Sequence, residues 1–218
     1  MPSFLPHIFG HEQFLLTRER TMFWEKEKVL IVSDLHLGKS GHFRKSGIAV
    51  PSASNTGDMQ RFIAQIQYFK PTRVLIVGDL FHSSLNSEAD FFLRWRRDIA
   101  GTELLLVKGN HDIIQDHWYN EAGIIVFDEH LDWGPFRFTH GDKDIAGQYT
   151  GFIISGHTHP AVSIKGAGKQ SLRLPCFYFS KNKAVLPAFG NFTGRYTVQP
   201  KKQDEVFVIT AEEVIRMK

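Results

Sequence analysis

The sequence predicts an α/β fold: a single domain built as a two-sheet sandwich with helices on the outer faces of the sheets. Three observations predict it. Five short apolar runs each stop at a polar residue: Val29–Val32 before Asp34, Val74–Val77 before Asp79, Leu104–Val107 before Asn110, Phe136–Thr139 before His140, and Phe152–Ile154 before His157. Such runs, bounded by turn residues, read as buried strands. Segments of helical spacing separate the first three runs, and a strand–helix–strand alternation implies mainly parallel pairing. From Ala161 onward the pattern is strand and turn. No repeat or linker interrupts the chain, so residues 1–218 are read as one domain.

Taken in order, residues 1–28 (His11, Phe14 and Leu16, then Thr21–Trp24) read as a hairpin leading into Val29–Val32. The first helix is expected over Asp58–Phe69. It places Met59, Phe62, Ile63, Ile66 and Phe69 on one face, with Asp58 as N-cap and Pro71 beyond the end. A second runs over Asn86–Ala100 and stops at Gly101, and a third, short one covers Asp112–Glu121. Ile124–Leu131 and Phe136–Thr139 flank the turn signal Asp132-Trp133-Gly134-Pro135. The remaining strands are Ala161–Lys165, Ser171–Ser180, Ala184–Leu186 and Glu205–Ile209, followed by a last segment Ala211–Met217.

Composition narrows the function classes. With 42% hydrophobic and 22% charged residues, the chain is neither disordered nor fibrous. Its longest apolar runs are four or five residues, too short to cross a membrane as a helix, and Met1–Gly10 lacks a signal-peptide pattern. The single cysteine, Cys176, excludes an internal disulfide and fits a reducing, cytoplasmic location; in an apolar strand it reads as core. A net charge of +3 permits a nucleic-acid partner without arguing for one.

The ends of the five strands carry the chemistry. They read Asp34-x-His36, Gly78-Asp79, Gly109-Asn110-His111-Asp112, His140 and Gly156-His157-Thr158-His159. Asp and His at i and i+2 on a strand point to the same side, so Asp34 and His36 can share one ion. His157 and His159 have the same spacing and can serve two ions separately or jointly. Asp79 can bridge, one oxygen to each metal. Imidazole and carboxylate donors without thiolate favour manganese, iron, zinc, nickel or magnesium. Two carboxylates against two dications leave a charge of about +2, which suits an anionic phosphate ester. Asp128-Glu129-His130 also follows an apolar run, but no glycine turn follows it and it reads as a solvated strand end.

The blocks SDLHLGK, VGDLFH, KGNHD, HGD and GHTHP resemble the calcineurin-like metallophosphoesterase superfamily. The resemblance implies two divalent ions, with manganese favoured. The first would be held by Asp34, His36, Asp79 and His159, the second by Asp79, Asn110, His140 and His157. It also implies His111 as the imidazole beside the leaving-group oxygen, with Asp112 orienting it from behind. A narrower resemblance runs through Asp34–Pro51, Gly78–Ser83, Arg173–Phe177 and Leu186–Gly194 to the ligase-associated metallophosphoesterases. It implies a DNA endonuclease working beside a DNA ligase and a helicase.

Around this set, Lys39, His42, Arg44 and Lys45 read either as phosphate contacts, Lys39 and Arg44 foremost, or as a solvated loop. His82 and Ser83 read as second-layer or surface residues, and Asn191 and Thr193 as turn formers. Arg94, Arg96 and Arg97 beside Trp95 read as a solvated helix face or a nucleic-acid contact. The expected activity is two-metal hydrolysis of a phosphodiester, DNA foremost. A small-molecule phosphodiesterase or nucleotide pyrophosphatase is the alternative, and a non-catalytic scaffold of the same fold the remote one.

Overall fold

A computed structural model describes residues 4–37, 39, 53–82, 87–141, 149–166, 170–191 and 193–217. The first sheet holds seven strands in sequence order: β1 (Phe4–Phe9), β2 (Glu12–Thr17), β3 (Met22–Trp24), β4 (Val29–Val32), β5 (Arg73–Val77), β6 (Glu103–Val107) and β7 (Ile124–Phe127). β1 to β4 pair antiparallel, and β4 to β7 pair parallel. Among the described residues, the helices α1 (Ala53–Phe69), α2 (Ser87–Asp98) and α3 (Asp116–Glu121) connect the parallel strands.

The second sheet contains nine strands: β8 (His130–Trp133), β9 (Phe136–Thr139), β10 (Phe152–Ser155), β11 (Pro160–Lys165), β12 (Ser171–Phe179), β13 (Lys183–Val185), β14 (Tyr196–Thr197), β15 (Glu205–Ile209) and β16 (Val214–Arg216). β9, β10 and β13 run parallel to one another within it.

Strands buried on both faces explain the continuous apolar runs. In β4, Val29 and Ile31 face the second sheet, joining Phe136, Phe138 and Phe177, whereas Leu30 and Val32 face the helices. β5 and β6 divide in the same way: Leu75, Val77, Leu105 and Val107 lie between the sheets, and Val74, Ile76, Leu104 and Leu106 beneath the helices. Met59, Phe62, Ile66, Phe92, Trp95, Trp118 and Tyr119 form the helical side of that second layer. Among the described residues, all three helices cover the first sheet only. A third small cluster of Val162, Cys176, Val206 and Val208 lies in the second sheet. There burial pushes the Cys176 thiol up to about 12, in keeping with a core residue.

Several expected boundaries move. α1 begins at Ala53, so Asp58 is inside the helix and not its N-cap. Its carboxylate is spent on Asn191 and Arg61 instead. Ile124–Leu131 is not one strand: the chain leaves the first sheet after Phe127 and enters the second at His130. Asp128, at that crossing, pairs with Lys108 at 2.8 Å. α3 starts four residues later than Asp112, which is occupied elsewhere. In α2, Trp95 is buried and Arg96 donates to the carbonyls of Ala122 and Ile99, a structural role.

Candidate metal centre

The parallel strands of both sheets end on the same side of the sandwich, where parallel α/β sheets place their sites. Asp34 and His36 follow β4, Asp79 follows β5, and Asn110 and His111 follow β6. His140 follows β9, and His157 and His159 follow β10. The fold gathers the side chains into two clusters, Asp34–His36–His159 and Asp79–His140–His157, whose ligand atoms all lie within 4.8 Å of one another in each. His157 and His159 are thereby divided between the clusters.

The i, i+2 strand rule does not explain the first pair. Asp34 and His36 lie past the end of β4, and both have left-handed backbones, φ 53° and 47°. Leu35 between them is buried in the helix-side core. Asp79, His157 and His159 are also left-handed, at φ 53°, 64° and 50°. Each such conformation is strained for a residue with a Cβ, and strain of this kind gathers at functional sites, held by its surroundings. Here backbone bonds hold it: Asp34, His36 and Leu37 donate N–H groups to the carbonyls of Gly78, Asp79 and Leu80 at 3.1, 2.9 and 2.9 Å. The two ligand loops are thus zipped together. A Cβ on Gly78 would lie 1.9 Å from His140 Nδ1, and one on Gly156 1.9 Å from Ser33 Oγ, so both approaches require glycine.

The electrostatics call for cations. Asp34 and Asp79 are 0% and 2% exposed, beside His36 and His140 at 5% and 3%. His159 Nδ1 lies 3.0 Å from the Gly194 carbonyl, so its hydrogen sits there and Nε2 presents a lone pair. That lone pair faces Asp34 Oδ1 across 2.9 Å, and both are buried atoms with no hydrogen-bond partner. A proton or a metal ion between them would satisfy both atoms. His140 repeats the design, with Nδ1 3.2 Å from the Val77 carbonyl and Nε2 3.3 Å from Asp79 Oδ2. Burial opposes charge on His140, but the Asp79 hydrogen bond and both carboxylates prevail and raise its pKa to about 9. Burial also pushes Asp79 up, and the hydrogen bond and charge of His140 outweigh it, holding the carboxyl well below the usual range. His36 goes the other way: burial lowers it to about 3 against the pull of Asp79 and Asp34.

Asp79 Oδ2 lies 3.5 Å from His36 Nε2 and 3.3 Å from His140 Nε2, between the clusters, while Oδ1 accepts the His111 N–H at 2.9 Å. The His111 ring is exposed at the rim, stacked on His82 at 5.0 Å and edge-on to His36 at 5.2 Å. Asn110 is also exposed there.

Asp112 departs from its expected role. Oδ2 accepts the N–H groups of Asp79 and Gly109 at 2.8 and 2.9 Å, and Oδ1 those of Leu80 and Phe81 at 2.9 and 3.4 Å. It is a staple between two ligand loops, and no hydrogen bond to the His111 ring is among its described contacts. Burial, then the Asp79 charge, raises its pKa to about 6 against those backbone bonds. Lys39 is half-buried; burial lowers its pKa, and Asp79 and Asp34 raise it, which places its ammonium in the field of both carboxylates. Arg44, His42, Lys45 and Ser83 lie outside the described residues.

Arg195, Tyr196 and the orienting role of Gly194 escaped the sequence reading. The carbonyl of Gly194 orients His159, and the next two residues, Arg195 and Tyr196, are exposed, with the Tyr196 N–H on the His159 carbonyl at 3.0 Å. The β11–β14 pairing of Pro160 with Tyr196 brings them to the site.

The family model described as calcineurin-like phosphoesterase matches residues 27–124. That match and this fold make the chain similar to the calcineurin-like phosphoesterases. The chain is therefore a metal-dependent hydrolase of phosphate esters. His140, His157 and His159 lie beyond the matched segment and join the site through the fold. The Pseudomonas putida nuclease MPE superposes with a TM-score of 0.83 at 23% identity, covering 97% of this chain and 100% of that one. Yfce, a phosphoesterase from E. coli, matches with a TM-score of 0.45 at 12% identity, covering 87% and 97%. No curated protein matches the chain. Among the described residues, no helix is long and apolar enough to cross a membrane.

Proposed function

We propose that this phosphoesterase is a single-domain, two-metal phosphodiesterase that acts on nucleic acid, with DNA as its substrate. The observation that carries the reading is Asp79 Oδ2, set within reach of histidines from both clusters. Asp34, His36, Asp79 and His159 would hold one divalent ion, and Asp79, Asn110, His140 and His157 the other. The resemblance favours manganese, and iron, zinc, nickel and magnesium fit the same donor set. Two such ions supply Lewis-acid stabilisation of a phosphoryl group and a nucleophile at neutral pH.

The chain's own groups then divide the remaining work. His111, at the exposed rim and tied by its N–H to Asp79, is placed to give a proton to the departing oxygen. Lys39 adds positive charge on the site side. Arg195 and Tyr196, beside His159, supply a cation for a neighbouring phosphate and a ring for a base, the pairing that single-stranded nucleic acid uses. Exposure of Asn110, His111 and His157 favours a polymer over an enclosed small nucleotide. The nuclease of matching fold supports the substrate class. Work beside a ligase and a helicase is supported by the resemblance of the Asp34–Pro51 and Leu186–Gly194 blocks, and a cytoplasmic location by the single cysteine.

The test is turnover of manganese-loaded protein on supercoiled plasmid and on bis-p-nitrophenyl phosphate, with His111→Ala as control. Nicking lost in the variant is the expected result. Cleavage of the aryl diester without nicking would replace DNA by a small nucleotide, and silence on both substrates would overturn catalysis.

A further inference from the structure

A second polar network lies behind the candidate metal centre, on the helix side of the first sheet. Asp58 in α1 is 6% exposed and accepts the N–H of Asn191 at 3.0 Å, its side-chain amide at 2.6 Å, and Arg61 at 3.0 Å. Arg61 donates to the Phe189 carbonyl and lies 4.0 Å over the Phe189 ring. Arg20 Nη1 stands 3.4, 3.2 and 3.3 Å from the carbonyls of Ala188, Phe189 and Gly190. Thr193 Oγ1 closes the turn onto the Gly190 carbonyl at 3.0 Å. Two arginines and an aspartate, none of them in the metal centre, are thus spent on one seven-residue loop.

That loop touches one cluster from two directions. Phe189 and Gly190 donate N–H groups to the carbonyls of Ser33 and Asp34 at 2.8 and 3.0 Å, and Gly194 fixes the tautomer of His159. A Cβ on Gly190 would lie 2.6 Å from the Leu35 carbonyl, so the contact is close along its length. Among the described hydrogen bonds, none joins the loop to Asp79, His140 or His157. Because Asp34 has a left-handed backbone, its carboxylate direction depends on whatever holds that backbone.

We propose that Asp58, Arg61 and Arg20 are positioning residues for one ion: they clamp the 188–194 loop so that it sets the affinity of the Asp34–His36–His159 position, leaving its neighbour alone. The inference rests on the two-metal reading above. Residues that orient ligands from behind typically change metal affinity by about 10–100-fold.

Calorimetric titration of the metal-free full chain with manganese chloride tests it, using two backgrounds that each retain one position. In His140→Ala the Asp34–His36–His159 position remains, and there Asp58→Ala should weaken binding by about tenfold or more. In His159→Ala the other position remains, and Asp58→Ala should leave its affinity unchanged. Asn191→Ala, a milder change at an exposed residue, should follow the same pattern more weakly, and Asp58→Asn should recover part of the loss. Equal weakening in both backgrounds would mean a general structural role and overturn the inference, as would no change in either. Binding of fewer than two ions by the wild-type chain would instead overturn the two-metal reading, and this inference with it.

Discussion

Replacing Asp112 by asparagine separates its two roles, orienting the His111 imidazole or stapling the ligand loops. The carboxylate has two oxygens, and each accepts two backbone N–H groups. A carboxamide keeps one acceptor oxygen and turns an NH2 group toward the other pair, so two buried N–H donors then face a donor. An unsatisfied buried group costs about 1–3 kcal/mol, so the two together cost about 2–6 kcal/mol. That is a large share of the roughly 5–15 kcal/mol that holds a typical domain folded. Urea unfolding of the metal-free protein measures it, as a lowered midpoint with an unchanged slope. Manganese affinity should fall as well, because Asp79 and Asn110 lie on the stapled loops. Stability close to wild type, with a turnover loss confined to substrates with poor leaving groups, would refute the staple and return Asp112 to the imidazole.

Other consequences are as direct. Gly78→Ala forces a Cβ to 1.9 Å from His140 Nδ1 at φ +80°. The left-handed backbone costs about 1–2 kcal/mol and the overpacking about 1–3 kcal/mol; urea midpoints and manganese titration should both fall, and unchanged values would defeat the close-packing argument. His7, packed against Phe179 and Phe207 with Glu205 at 3.9 Å and Arg216 near, has its pKa lowered chiefly by burial. The unfolded chain therefore takes up this proton first, so the stability is full above about pH 6.5 and declines as pH falls below it. Urea midpoints compared with His7→Phe across that range should show a smaller decline in the variant. Arg195→Ala should reduce the slope of log K against log salt for single-stranded DNA by about 0.7, and Tyr196→Ala should cost about 1–3 kcal/mol of binding. Filter binding at several salt concentrations checks both, and unchanged slopes and affinities would remove these residues from the DNA path.

What the sequence by itself determined was the strands and the identity of the groups at their ends. Doubly buried parallel strands must be apolar throughout, so Val29–Val32, Val74–Val77 and Leu104–Val107 are legible as runs, and the polar residue that stops each run marks where the chain leaves the core. Asp34, His36, Asp79, His140, His157 and His159 were legible for that reason, and the structure brings all six together. Tertiary structure alone decided how they converge. Left-handed conformations at Asp34, His36, Asp79, His157 and His159 leave no mark in residue identity, because the conformation is imposed by hydrogen bonds from other loops. The same holds for Asp58 and Asp112: each reads locally as a helix start, yet each carboxylate is claimed by N–H groups distant in sequence, at Asn191 and at Asp79. Local pattern reports what a residue buries, and only the folded chain determines which distant partner it meets.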